Sequence, residues 1–149
     1  MLALLMPTRI EIVKPSTRLR GAGGAVRPES LEVLVRGFTV LDNPGALLVG
    51  QIRFELFMHQ PASGHVEGQR IHQWDIDLGD EENQRRFWNP VIQMYEFSLG
   101  VDPAVIPPAN KYVLAATLNT PLGQHLSDEL VFELLEGPSG VTVLPPPGR

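Results

Sequence analysis

The sequence predicts an all-β fold: a two-sheet antiparallel β-sandwich of seven or eight strands, with one short helix near residues 80–89. Three observations carry this. Apolar and polar residues alternate with a period of two through most of the chain, as in strands with one face on a core and one in water. The 149 residues include 14 Gly and 14 Pro, a density that excludes a long-helix bundle. Strands and helices do not alternate, which disfavours a parallel sheet. Long inward faces then need an opposing layer, and a second sheet supplies it.

Each element has a local reason. Thr8–Lys14 is a short strand. Pro15–Pro28, with the run Gly21-Ala-Gly-Gly-Ala25, reads as a flexible linker. In Leu31–Leu41, Leu31, Val33 and Val35 alternate with Glu32, Leu34 and Arg36. Gly37 allows a bulge before Phe38 and Val40 resume the pattern. Asp42-Asn-Pro-Gly45 is a turn, because Pro44 fixes φ and Gly45 takes positive φ cheaply. Leu47–His59 is the clearest strand: Ile52, Phe54, Leu56 and Met58 share one face, and Gln51, Arg53, Glu55 and His59 the other. Gln60–Gly68 is a loop. Arg70–Leu78 sets His72, Trp74, Ile76 and Leu78 against Gln73, Asp75 and Asp77. The alternation breaks over Gly79–Asn89. There Asp80 is an N-cap, Glu81 and Glu82 suit the first turn of a helix, and Arg85 and Arg86 suit the last. Phe87 and Trp88 pin this helix to the sandwich, and Pro90 ends it.

Gln93–Val101 is a strand through Tyr95, Phe97 and Leu99. Pro103–Asn110 is a Pro-rich connection. Lys111–Asn119 turns Tyr112, Leu114, Ala116 and Leu118 inward, and Thr120–Gly123 is a turn. Leu126–Leu135 is the last long strand, with Leu130, Phe132 and Leu134 inward. Val141–Leu144 adds an edge. The expected organisation is an N-terminal strand plus basic linker over 1–28, a sandwich over 29–144 and a mobile Pro-rich tail over 145–149. Phe54, Trp74, Tyr112 and Phe132 are the expected structural anchors.

Composition bounds the function. The chain has no Cys, which excludes disulfides, thiolate nucleophiles and Cys-ligated metals. Net charge is −5, yet residues 1–36 carry six basic and three acidic groups. An acidic chain without a long basic stripe is a poor nucleic-acid binder, so no nucleic-acid partner is expected. No apolar run reaches the length of a membrane span. Met1–Met6 is apolar but too short for a complete signal peptide; it fits the stub of one or an ordinary strand.

Pro107-Pro-Ala-Asn-Lys-Tyr112-Val-Leu-Ala-Ala116 resembles the penultimate strand of immunoglobulin-like and fibronectin type III-like sandwiches. In those folds a Tyr at the strand's start hydrogen-bonds back to the preceding corner, and Tyr112 matches that position. Thr120-Pro-Leu-Gly123 matches the tight turn that follows. Without a Cys pair, and without Trp on Leu47–His59, the chain stands outside the antibody family proper. Arg53-Phe-Glu-Leu-Phe57, Trp74-Asp-Ile-Asp-Leu78 and Tyr95-Glu-Phe-Ser-Leu99 resemble a group of small, uncharacterised bacterial proteins, many of them exported. That resemblance implies no activity; it points to the cell envelope or the extracellular space.

Several constellations have chemical potential. Asp75, Asp77, Asp80, Glu81 and Glu82 offer hard oxygen ligands, and Trp-Asp-x-Asp resembles a calcium loop of C2-type sandwiches. A calcium site there needs a second acidic contributor, for which Asp42 is the candidate. Otherwise Asp75 and Asp77 are a solvent face and Asp80 a cap, the expectation favoured here. His59, His65 and His72 would meet only if their strands form a hairpin, and none has tight His-x-His spacing. Ser63-Gly-His65 is not a nucleophile elbow. Glu55 and Glu96 would serve a hydrolase only as a facing pair in a cleft. Trp88 and Tyr95 would serve carbohydrate only if exposed. The stretch from Lys14 to Arg27 carries four basic residues and no acidic one. Arg9, Lys14, Arg18, Arg20 and Arg27 are therefore candidates for meeting a partner, with Thr8–Lys14 able to pair with a neighbour's sheet edge. The expectation is a non-enzymatic structural or protein-interaction module, self-associating through this arm. The alternatives are a calcium- or carbohydrate-binding module and, third, a hydrolytic enzyme.

Overall fold

The computed structural model describes residues 5–13, 16–22, 25–59, 67–101, 111–137 and 140–144. They form two antiparallel sheets and one short helix. The strands are β1 (Pro7–Ile12), β2 (Ser16–Ala22), β3 (Ala25–Thr39), β4 (Pro44–Ala46), β5 (Gln51–His59), β6 (Glu67–Asp77), β7 (Trp88–Asn89), β8 (Met94–Gly100), β9 (Lys111–Asn119), β10 (His125–Gly137) and β11 (Gly140–Leu144). The helix α1 is Glu81–Phe87. One sheet runs β1-β3-β8-β7, with β2 and β4 also on β3; the other runs β11-β10-β9-β5-β6. The expected all-β sandwich is the fold.

The inward faces follow the alternation. Ile52, Phe54 and Leu56 of β5 meet Tyr95, Phe97 and Leu99 of β8, all buried. Phe54 and Phe97 pack ring to ring at 4.9 Å, and Phe87 of α1 reaches Phe97 at 5.0 Å. Tyr112 and Phe132 are buried on neighbouring strands, their rings 5.9 Å apart. Each side chain of this size contributes about 1.5–3 kcal/mol through full burial. The corner to which Tyr112 would bond back, 107–110, lies outside the described residues. So do the loop 60–66, most of the Pro-rich connection and the tail 145–149.

The N-terminal region corrects the sequence reading. Residues 16–22 and 25–28 are strand, not linker. Both β1 and β2 run antiparallel to the long β3. Ile12 stands opposite Val35, Ser16 opposite Glu32 and Ala22 opposite Ala25. The expected arm is thus one limb of a hairpin within its own sheet. Only Gly23-Gly24 separates Ala22 from Ala25 in sequence, the composition that two-residue hairpin connections favour.

The two sheets are tied at both margins. β1 lies beside β10, and Ile12 donates its backbone N–H to Asp128 Oδ2 at 2.8 Å. At the other margin Trp74 Nε1 donates to the Gly100 carbonyl at 2.8 Å. The helix bridges the same margin. Asp80 caps it by accepting from the Glu82 N–H at 3.2 Å, and Arg85 pairs with Glu81 one turn back. The helix ends before Trp88, earlier than Pro90, because Trp88 and Asn89 pair with Tyr95 and Met94 as β7. β4 and β7 add short strands that the sequence reading assigned to a turn and to the helix.

Candidate interaction surface

Most of the residues singled out in the sequence are committed within the chain. Asp75 accepts from Arg53 Nε and from Gln73 Nε2, each at 2.8 Å. Those two hydrogen bonds, Arg53's first, hold its carboxyl below the usual carboxylate range. Asp77 accepts from the Gly79 N–H at 2.8 Å, and Asp80 caps α1. Asp42 is the partner of Arg9 at 2.7 Å. Among the described residues no three His, Cys, Asp or Glu side chains converge to hold a metal ion. Asp75, Asp77 and Asp80 thus answer to three separate local hydrogen-bonding tasks.

The histidines do not converge either. His72 stacks on Trp74 at 4.4 Å, His59 stands opposite Glu67, and His125 bonds the Asn119 side chain. His65 lies outside the described residues. Glu55 pairs with Arg70 on the outer face of one sheet, while Glu96 accepts from Asn89 on the outer face of the other. They are not a facing pair. Tyr95 is fully buried, and the partly buried Trp88 packs edge-on against it at 5.0 Å. Trp74 is only partly buried at its margin.

Arg9 and Arg36 are likewise engaged. The Arg9 guanidinium lies 3.7 Å over the Phe38 ring and is ion-paired with Asp42; Arg36 pairs with Glu11 at 2.8 Å. Arg18 and Arg20 stand in β2, with Arg27 opposite Arg20 in β3. Lys14 lies outside the described residues. The strand expected to seek a neighbour's edge has its partner at home.

A surface that the sequence reading missed lies at one end of the sandwich. β3 ends there, β1, β8 and β5 begin there, and β9 turns there into β10. Among residues 5–13, 30–59, 68–101 and 111–132 the exposed large hydrophobics are Leu5, Val40, Leu41, Leu47, Val49, Val91, Ile92 and Leu122. Every one is in a segment at this pole. Val91 is 88% exposed, Leu122 72% and Leu41 65%.

Three turns present most of them, and each is closed by its own hydrogen bonds. In the β3–β4 turn, Thr39 N donates to the Asn43 carbonyl at 3.0 Å, and Asn43 N donates to Thr39 Oγ1 at 3.3 Å. Asp42 takes φ of 61° and donates its N–H to the Thr39 carbonyl at 2.9 Å. The β9–β10 turn repeats this pattern. Thr120 N donates to Gln124 O at 2.9 Å, Gln124 N to Thr120 Oγ1 at 3.1 Å, and Gly123, at φ of 83°, to Thr120 O at 3.0 Å. Both are three-residue hairpin loops with the last loop residue left-handed. Val40 and Leu41 tip the first; Leu122 tips the second. In the β7–β8 turn, Asn89 Oδ1 accepts from the Val91 N–H at 2.9 Å, and the Asn89 carbonyl accepts from Gln93 N at 2.9 Å. Val91 and Ile92 tip that turn.

Between these tips the chain crosses from one sheet to the other through 47–50. Leu48 is fully buried, so Leu47 and Val49 face out. A buried network fixes this crossing. Tyr95 OH accepts from Leu48 N at 3.0 Å and donates to Gln84 Oε1 at 2.7 Å. Gln84 Nε2 donates to the carbonyls of Leu48 and Leu78, each at 2.5 Å. Burial pushes the Tyr95 phenol above its ordinary pKa, so it stays a neutral donor and acceptor. The local signal for the pole was aliphatic residues at turn tips, where polar residues are usual.

The chain matches no family model, and no curated protein matches it. Among solved structures it is similar to a crystal structure of catalytically inactive OgpA from Akkermansia muciniphila in complex with an O-glycopeptide (glycodrosocin) substrate. The TM-score is 0.48 and the identity 10%, over 95% of this chain and 31% of that one. The chain thus spans about a third of that protein's length.

Proposed function

We propose that this chain is a non-enzymatic protein-interaction module that docks through its loop pole. One observation carries the reading: the exposed large hydrophobics of residues 5–13, 30–59, 68–101 and 111–132 are all at that pole. Apolar surface concentrated in one place, rather than scattered, is the mark of a docking site. The self-bonded turns add a second reason. A tip already held in shape loses little conformational freedom when it binds. The long arm, tied by pairing with β3, is not needed for the reading.

The test is site-specific photo-crosslinking in the cells that make the protein. A photoreactive residue is placed at Val91 or Leu122, and as a control at Arg53 on an outer sheet face. Discrete adducts from both tips and none from Arg53 are expected. No adduct from either tip, or the same adducts from all three sites, refutes the reading.

A further inference from the structure

We infer that the occupant of the pole is a partner protein presenting an aliphatic surface flanked by lysine and arginine, an inference that rests on the docking reading above. The charge distribution beside the pole carries it. At the end of β6 and the start of α1, beside the 47–50 crossing, stand Asp77, Asp80, Glu81 and Glu82. Leu78 N donates to the Gly50 carbonyl at 2.7 Å, which holds this acidic flank against the crossing. Asp77 and Asp80 accept backbone N–H bonds there. Of the nearby cations, Arg85 is paired with Glu81 and Arg86 lies 5.6 Å from the Phe87 ring. Arg9, on the opposite flank, is paired with Asp42. The pole therefore offers an aliphatic centre with a net acidic side. Charges at an interface rim set the choice of partner and the speed of encounter.

The other occupants fit less well. A second copy would bring the same acidic surplus, with its flanking Arg9 already engaged. A bilayer surface is usually met by Trp, Tyr, Lys or Arg, whereas these tips are Leu, Val and Ile. The acidic flank is also repelled by anionic headgroups.

The probes are three synthetic amphipathic peptides with the same leucine face and a polar face of lysine, glutamine or glutamate. Binding to the full chain is measured by titration calorimetry at low and high salt. Sedimentation velocity of the chain alone and flotation with phosphatidylcholine–phosphatidylserine vesicles run beside it. The lysine peptide is expected to bind about tenfold tighter than the glutamine peptide at low salt, with the gap closing as salt screens it. The variant E81Q/E82Q should narrow that gap, and L41S/V91S/L122S should abolish binding of all three peptides. Both variants are first shown to melt as the parent does. Equal binding of the lysine and glutamine peptides overturns the inference and leaves the docking reading standing. A concentration-dependent dimer, or vesicle binding lost in the serine variant, assigns the pole to another occupant and overturns it too. Peptide binding unchanged by the serine variant overturns both.

Discussion

Replacing Gly50 by alanine is the sharpest test of how the pole is built. Gly50 ends the 47–50 crossing at φ of 127°, a conformation that side chains with a Cβ rarely adopt. A Cβ there would lie 2.1 Å from the Asn119 carbonyl oxygen and 3.1 Å from Thr120 Cα. Both obstacles are backbone, held by the pairing of β5 with β9 and by the Thr120 turn, so neither can swing aside. The strained φ costs about 1–3 kcal/mol and the forced displacement about as much again. The sum, roughly 2–6 kcal/mol, is a large part of a typical domain's stability. At about 3 °C per kcal/mol for a chain of this size, the melting temperature should fall by roughly 6–18 °C. The control is Gly123→Ala. Gly123 also has positive φ, at 83°, but nothing lies within 4 Å of its Cβ position. It should lose only about 1–2 kcal/mol from the left-handed backbone, or roughly 3–6 °C. Thermal and urea denaturation of both variants decide the matter. A Gly50→Ala loss no greater than that of Gly123→Ala would refute the close-approach argument.

Other outcomes follow from the same contacts. Tyr95→Phe removes the hydroxyl that satisfies Leu48 N and Gln84 Oε1, and urea denaturation should show a loss of about 1–3 kcal/mol. Asp128→Ala strips the acceptor from Ile12 N; a loss of about 1–3 kcal/mol and faster amide exchange at Ile12 are expected. Unchanged exchange at Ile12 would sink that assignment. Asp75 has a folded pKa below its unfolded value, so its contribution is complete above the unfolded value and disappears as pH falls through the folded one. Asp75→Asn should therefore lower stability at neutral pH and leave the acid limb unchanged. Because both Asp75 and Arg53 are about half exposed, the effect should stay under about 1 kcal/mol and shrink with salt.

The core was legible because a strand's alternation is a local property. Ile52, Phe54 and Leu56, and Tyr112, Leu114 and Ala116, face inward as their spacing requires. Asp80 as a cap was legible for the same reason. The β2–β3 hairpin was not, since Gly and Pro in that stretch outweigh a weak alternation and only the pairing register reveals strand. β4 and β7, at three and two residues, are too short to show any period. Val40 seemed to continue the β3 alternation, but the Thr39–Asn43 closure turns it out to solvent. The pole depends on Leu41, Val91 and Leu122, which lie far apart in sequence and meet only through the topology. The acidic run is the converse case: its carboxylates are close in sequence yet bound to separate partners.

The Thr39 and Thr120 turns also bear on how freely this surface can vary. Each turn is closed by the backbone and hydroxyl of its first residue. The aliphatic side chains at the tips take no part in that closure. Tip identity and fold stability are thereby uncoupled, so the tip residues can be exchanged without disturbing the turn closures or the core. The same uncoupling makes the chain a loop-grafting scaffold, with Val40-Leu41, Val91-Ile92 and Leu122 as three insertion points at one end of the sandwich.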